Sequence, residues 1–236
     1  MLDEGEIPFH RYGSRERLAD ALAAGVAATL AGGIATRGSA AIAVSGGSTP
    51  TLFFDHLSSL DIDWSLVTIT LVDERFVPDD HPRSNLRLVR ERLWRGNAGA
   101  ARLVPLNAWP HANLEDSVLQ ADRQIASFGP LDVAVLGMGN DGHTASFFPQ
   151  GDRLTEALDP HCGRHVLPMH APGAGEPRMT LSLRFLLESR FLALHLEGEE
   201  KLATLGRARL DGSQEEMPVR AVLRRGRGKL HIFWAP

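Results

Sequence analysis

The stretch Ala40–Leu60, AAIAVSGGSTPTLFFDHLSSL, decides the fold. Its first five residues, Ala40 to Val44, are a short, uniformly apolar run with glycine on either side. That pattern predicts a strand buried on both faces. SGGSTP follows. Pro50 stands where a first helical residue belongs, because its ring presets a helical φ and it has no N–H to leave unpaired. Ser48 or Thr49 is then the expected cap, and TLFFDHLSSL continues as a helix. Strand, glycine turn and helix form the opening of a parallel α/β unit.

The same alternation continues on both sides. Ser14 caps a predicted helix to about Leu30, in which Leu18, Leu22, Val26 and Leu30 recur every fourth residue. Downstream, strands are expected at Val67–Asp73, Asp132–Gly139, His165–Met169, Arg178–Ser182, Phe191–Glu197 and Lys229–Trp234. Helices are expected from Ser84, over Asn113–Phe128, near Glu199–Leu210 and over Val219–Arg224. Aliphatic strands alternating with helices imply a Rossmann-like α/β fold, with a mostly parallel sheet and helices on both faces. No repeat or linker interrupts the chain, so residues 1–236 read as one domain.

Bulk composition excludes several function classes. The chain has 236 residues, is 43% hydrophobic and carries a formal charge of -4. That gives no reason to expect nucleic acid or an anionic membrane as partner. The apolar stretch Leu18–Ile34 contains Asp20, and the chain starts MLDEGE, so neither a membrane span nor a secretory signal is expected. One cysteine, Cys162, forms no intrachain disulfide and fits a reducing, cytoplasmic setting. A monomer or small homo-oligomer is compatible with these features. Nearly all basic residues are arginine, and lysine occurs only at Lys201 and Lys229.

Ligands of open α/β sheets bind beyond the carboxyl ends of strands. Three predicted strands end in polar sequences: Ser45–Pro50 (SGGSTP), Asp73–Arg75 (DER) and Gly139–His143 (GNDGH). Together they suggest one shared site. In SGGSTP, Gly46 and Gly47 let the backbone approach a ligand, and Ser45, Ser48 and Thr49 add hydroxyls beside a helix N-terminus. A phosphate cradle and a plain capped turn both fit that pattern. The turn has neither the P-loop lysine pattern nor the dinucleotide fingerprint, so ATP and NAD are not implied. In DER, strand geometry sends neighbouring side chains to opposite faces, so Asp73, Glu74 and Arg75 cannot all meet one ligand. GNDGH brings Asp141 close to His143. A histidine titrates near neutrality and suits a general base, with a carboxylate to orient it. An N-cap aspartate beside an exposed histidine is the plainer alternative. The HCGRH segment, His161–His165, with His170, fits no standard zinc spacing. His10, His56, His81, His111, His195 and His231 are scattered and suggest nothing specific.

Taken in order, SGGSTP, DERFVPDDHPRSN and GMGNDGHTASFFP closely resemble the motifs of 6-phosphogluconolactonases, of the same superfamily as glucosamine-6-phosphate isomerases/deaminases. The resemblance runs from the first of those strands to the helix after Glu199. It implies metal-independent, cofactor-free hydrolysis of 6-phospho-D-glucono-1,5-lactone. By resemblance, SGGSTP, Arg178 and Lys201 bind the phosphate. His143 is the general base, and Asp141 orients its imidazole or a substrate hydroxyl. Asp73 lies in the same pocket, and Arg75 positions a substrate oxygen or steadies an oxyanion. The deaminase pattern has a glutamate five residues past the histidine, and here that position is Phe148. An apolar ring cannot shuttle protons, so the resemblance points to the lactonase. A third alternative is a non-catalytic sugar-phosphate sensor of the kind attached to DNA-binding domains. Only a short segment precedes the strand at Ala40, which argues against it.

Overall fold

A computed structural model describes residues 7–107 and 113–236. The acidic start MLDEGE and His111 lie outside the described residues. The strands, in chain order, are β1 (Phe9–Arg11), β2 (Ala40–Val44), β3 (Val67–Leu71), β4 (Asp73–Arg75), β5 (Arg102–Leu103), β6 (Val133–Leu136), β7 (Val166–Met169), β8 (Arg178–Leu181), β9 (Phe191–Glu197) and β10 (Leu230–Ala235). The α-helices are α1 (Arg15–Arg37), α2 (Thr51–Ser59), α3 (Asn85–Arg92), α4 (Leu114–Ala126), α5 (Leu154–Ala157), α6 (Leu183–Leu187), α7 (Glu199–Arg209) and α8 (Val219–Arg225).

Seven strands form one sheet in the order β1-β10-β9-β6-β2-β3-β5, and every pairing in it is parallel. All residues of β2 and β6 are buried, as continuous aliphatic runs in the middle of a parallel sheet should be. Helices cover both faces. Phe53 of α2 meets His195 on one face, whereas Arg209 of α7 lies over Phe9, which points to the other. Helix α1 is long and apolar enough by composition to cross a membrane. Here Leu18, Leu22, Val26 and Leu30 are fully buried in the hydrophobic core, so it acts as a core helix.

Several expectations change. The predicted strand Val67–Asp73 is two strands. Val72 donates its N–H to Val44, and its carbonyl accepts from Leu181, so it joins β3 of the main sheet to a second sheet. That sheet is small and antiparallel, in the order β4-β8-β7. The strands expected at His165 and Arg178 therefore belong to it. Helix α1 runs seven residues past Leu30, to Arg37, and closes at Gly38, whose φ of +79° glycine adopts without strain. The expected cap of the helix after SGGSTP is also corrected. Pro50 is itself the cap residue, and no side chain caps α2. Ser48 and Thr49 line a cavity instead, leaving first-turn N–H groups of α2 without a side-chain acceptor.

Candidate active site

The sheet order reverses at β2. The chain moves outward through β3 and β5 on one side, then returns to build β6, β9 and β10 on the other. The crevice between the ends of β2 and β6 is the position where open α/β sheets hold ligands. A cavity of about 290 Å³ opens there. SGGSTP leaves β2 and the GMGNDGH segment leaves β6, and the two turns are tied together. Ser45 donates its N–H to Val135 (3.0 Å), and Gly137 donates to the Ser45 hydroxyl (3.2 Å).

The cavity collects Ser45, Gly46, Gly47, Ser48, Thr49, Asp73, Arg75, His143, Arg178 and Lys201. Asp141 is not in its wall but holds His143 from behind. The imidazole Nδ1 lies 2.6 Å from the Asp141 carboxylate, which also accepts the His143 backbone N–H at 3.1 Å. Burial raises the Asp141 carboxyl, but the hydrogen bonds and charge of His143 outweigh it and hold the group below its ordinary value. A charged carboxylate accepts only, so it assigns the proton to Nδ1 and leaves Nε2 with a lone pair. The turn that makes this pair is tight. Gly142 has a φ of +81°, and Ala145, in the cavity wall, has a φ of +50°, which side chains adopt only under strain.

DER behaves as strand geometry requires. Asp73 and Arg75 face the cavity, and Glu74 points the other way. Asp73 is buried and accepts the Ser146 hydroxyl at 2.6 Å. Arg75 donates to the Arg83 carbonyl at 2.5 Å, and its Nε has no hydrogen-bond partner. Arg178, only 5% exposed, donates to the Ala174 carbonyl at 2.5 Å and stands 3.8 Å from Asp73. Glu176, two residues before it, pairs with Arg83 at 3.0 Å. Burial lowers Arg178's affinity for its proton, partly countered by Asp73. Burial likewise lowers Lys201, against the pull of Glu200 and Asp141. Two desolvated cations and a helix N-terminus suit an anionic ligand. The HCGRH segment does not assemble. His165 turns to Asp122 and His170 to Asp152, and no three possible metal ligands converge among the described residues.

Three further side chains stand in the wall, and of these Phe148 alone was singled out from sequence, as the counterpart of the deaminase glutamate. Asn85 donates to the Asp73 carbonyl at 2.9 Å and fills the space where Gly46 lacks a side chain. Phe148 stacks on His143, with centroids 4.3 Å apart, and carries the Arg178 guanidinium 5.2 Å from its centroid. His195 reaches the cavity from β9. The serine–asparagine pair closing DERFVPDDHPRSN was the available signal for Asn85. His195 had none, because its place depends on how the sheet is ordered.

A family model described as glucosamine-6-phosphate isomerases/6-phosphogluconolactonase matches residues 13–232. The chain belongs to this family. Within it, the chain is 51% identical over 227 residues to a 6-phosphogluconolactonase of Rhizobium meliloti (strain 1021), covering 96% of this chain and 98% of that one. It is 49% identical to a 6-phosphogluconolactonase of Mesorhizobium japonicum, covering 100% and 98%. Among solved structures, a 6-phosphogluconolactonase from Shewanella baltica OS155 superposes with a TM-score of 0.94 at 39% identity, over 98% of each chain. The family covers two chemistries, so membership leaves the choice between them to the side chains around His143.

Proposed function

We propose that this protein is a 6-phosphogluconolactonase, hydrolysing 6-phospho-D-glucono-1,5-lactone to 6-phospho-D-gluconate in the pentose phosphate pathway. The observation that carries the choice is Phe148. Its ring, packed on the His143 imidazole, occupies the place where the deaminase pattern has a proton-shuttling glutamate. An aldose ring must be opened by proton transfer, whereas a lactone is already an acyl compound open to direct attack by water. The full-length similarity to named 6-phosphogluconolactonases supports the same choice.

In this reading the phosphate sits against SGGSTP, with Arg178 and Lys201 supplying charge-assisted hydrogen bonds. Water is held at His143 Nε2. As its oxygen bonds to the lactone carbonyl carbon, its proton passes to Nε2. The carbonyl electrons move to oxygen, and Arg75 or backbone N–H groups of the turns stabilise that charge. The tetrahedral intermediate collapses, the C1–ring oxygen bond breaks, and the imidazolium returns the proton to the departing oxygen. Asp141 keeps the ring oriented and steadies its charged form. Asp73 is a fixed carboxylate in the same pocket, buried behind the Ser146 hydroxyl. A phosphorylated sugar lactone is the small-molecule partner this reading requires, and the single thiol of Cys162 suits a cytoplasmic setting.

The test generates the lactone from glucose 6-phosphate and its dehydrogenase and follows its loss above the spontaneous rate. Wild type should accelerate that loss. His143→Ala should lower kcat about a hundred- to ten-thousandfold, the usual worth of general acid–base catalysis, with phosphate affinity retained. Near-normal kcat in the variant would remove the base assignment. No acceleration by wild type would overturn the lactonase reading and make glucosamine 6-phosphate the next substrate to assay.

A further inference from the structure

His195 lines the cavity but takes no part in the hydrolysis described above. It sits near the end of β9, in register with Phe233 of β10 and one residue past the Leu194–Leu136 pair with β6. Only 3% of it is exposed. Its Nε2 lies 3.1 Å from Glu197 Oε1. Glu197 Oε2 in turn lies 3.5 Å from Arg15, the first residue of α1. The edge of the ring meets Phe53 of α2, with centroids 6.2 Å apart at 82°. Its Nδ1 is buried and has no hydrogen-bond partner.

Buried polar atoms are nearly always paired, and an unpaired one in a cavity wall is a place where a ligand can complete the pairing. Glu197 accepts only, so it draws the Nε2 proton to itself and leaves Nδ1 as the free end of the ring. A proton added at Nδ1 makes an imidazolium with Glu197 on one side. An anion in the cavity would stabilise it from the other. The turn SGGSTP and Lys201, the groups assigned above to phosphate, share that cavity. Of the charged groups, Glu197 on its own strand contacts the ring and Arg15 of α1 stands behind Glu197, while Lys201 of α7, Asp73 and Arg75 of β4 and Arg178 of β8 line the same cavity. Phe233 of β10, Phe53 of α2 and Gly137 beyond β6 add none.

We propose that His195 is a phosphate-recognition residue, which binds the substrate phosphate as an imidazolium through Nδ1–H, with Glu197 fixing the ring. The proposal rests on the sugar-phosphate reading above and adds a group selective for the phosphorylated form of the lactone. It predicts which side-chain nitrogen matters. Gln at this position can place an amide where Nε2 is and keep the Glu197 contact. Asn can place one where Nδ1 is.

The test compares 6-phosphogluconolactone with unphosphorylated glucono-1,5-lactone. His195→Gln should lower the preference for the phosphorylated lactone about ten- to hundredfold, mostly through KM, as loss of one charge-assisted hydrogen bond predicts. Its turnover of the unphosphorylated lactone should match wild type. His195→Asn should recover part of the preference. A wild-type preference in His195→Gln overturns the proposal, as does an equal loss on both lactones, which marks a purely structural ring. A measurement on the unaltered protein stands beside these. With ¹⁵N-labelled histidine, saturating inorganic phosphate should turn the His195 ring to imidazolium, and a ring that stays neutral overturns the proposal. Wild type inactive on both lactones would instead bring down the functional reading itself.

Discussion

A methyl group at Gly139 would land inside both the His143 ring and the Asp141 carboxylate, closer than any nonbonded contact allows. The glycine is therefore part of the geometry that pairs His143 with Asp141, though it bears no chemistry. Gly139→Ala should push the imidazole off Asp141, free it to rotate, and lower kcat at least tenfold. The overpacking should cost about 1–3 kcal/mol of stability, and affinity for 6-phosphogluconate should stay within a few-fold of wild type. Steady-state kinetics beside a product titration separate these effects, and an unchanged kcat would show that the dyad tolerates a looser turn. This scale also marks what the sequence could reveal. Asp141 and His143 were legible because they lie two residues apart in one turn, so local geometry alone brings them together. Arg178 and Lys201 came only through resemblance, since they reach the cavity from β8 and α7. Phe148 was legible from its place five residues past His143, whereas His195 was not, because its neighbours in the wall come from distant segments.

Among the elements, β4 and α3 are joined by a buried carboxyl. Glu74 accepts the backbone N–H groups of Arg75 (2.7 Å), Asn85 (2.8 Å) and Leu86 (2.7 Å), and the Ser84 hydroxyl (3.1 Å). It thereby fixes Arg75 and Asn85, the two residues that face the cavity on either side of it. Burial pushes its pKa up to about 7 from an ordinary 4.5, against the pull of the three N–H groups. A carboxyl raised on folding contributes stability that is complete below about 4.5 and is lost as pH rises through about 7. Glu74→Gln, which cannot titrate, removes that dependence. Wild type should lose on the order of 2–3 kcal/mol relative to the variant between pH 4.5 and 8, read as the difference between urea unfolding curves. A difference that stays flat with pH would mean that the carboxylate is ionised throughout and held by its four donors. The elements differ in legibility for physical reasons. β2, β6 and β9 were readable as apolar runs buried on both faces. β1 and β5, three and two residues long, carry no periodicity and exist through pairing with β10 and β3. The split at Val72 was invisible because both halves of VTITLVDER are strands, and only the second sheet separates them.

Across the whole molecule, the cavity gathers groups from both sheets and from α7. SGGSTP follows β2, the His143 turn follows β6, Asp73 and Arg75 come from β4, Arg178 from β8 and Lys201 from α7. A ligand there bridges parts of the chain that separate on unfolding, so binding free energy appears as stability of the whole fold. At a concentration one hundred times Kd, 6-phosphogluconate should add about 2.7 kcal/mol. For a chain of this size that corresponds to a rise in Tm of about 5–10 °C. His143→Ala should keep the shift, because the general base proposed there is not needed to hold the product. Lys201→Met keeps the length of the side chain and removes its charge, so it should lose most of the shift. Gluconate, lacking the phosphate, should produce little shift even with wild type. If gluconate stabilised as well as 6-phosphogluconate, or if Lys201→Met kept the full shift, the phosphate would have to lie elsewhere in the cavity. The crevice at the sheet's reversal point would then hold the sugar ring alone.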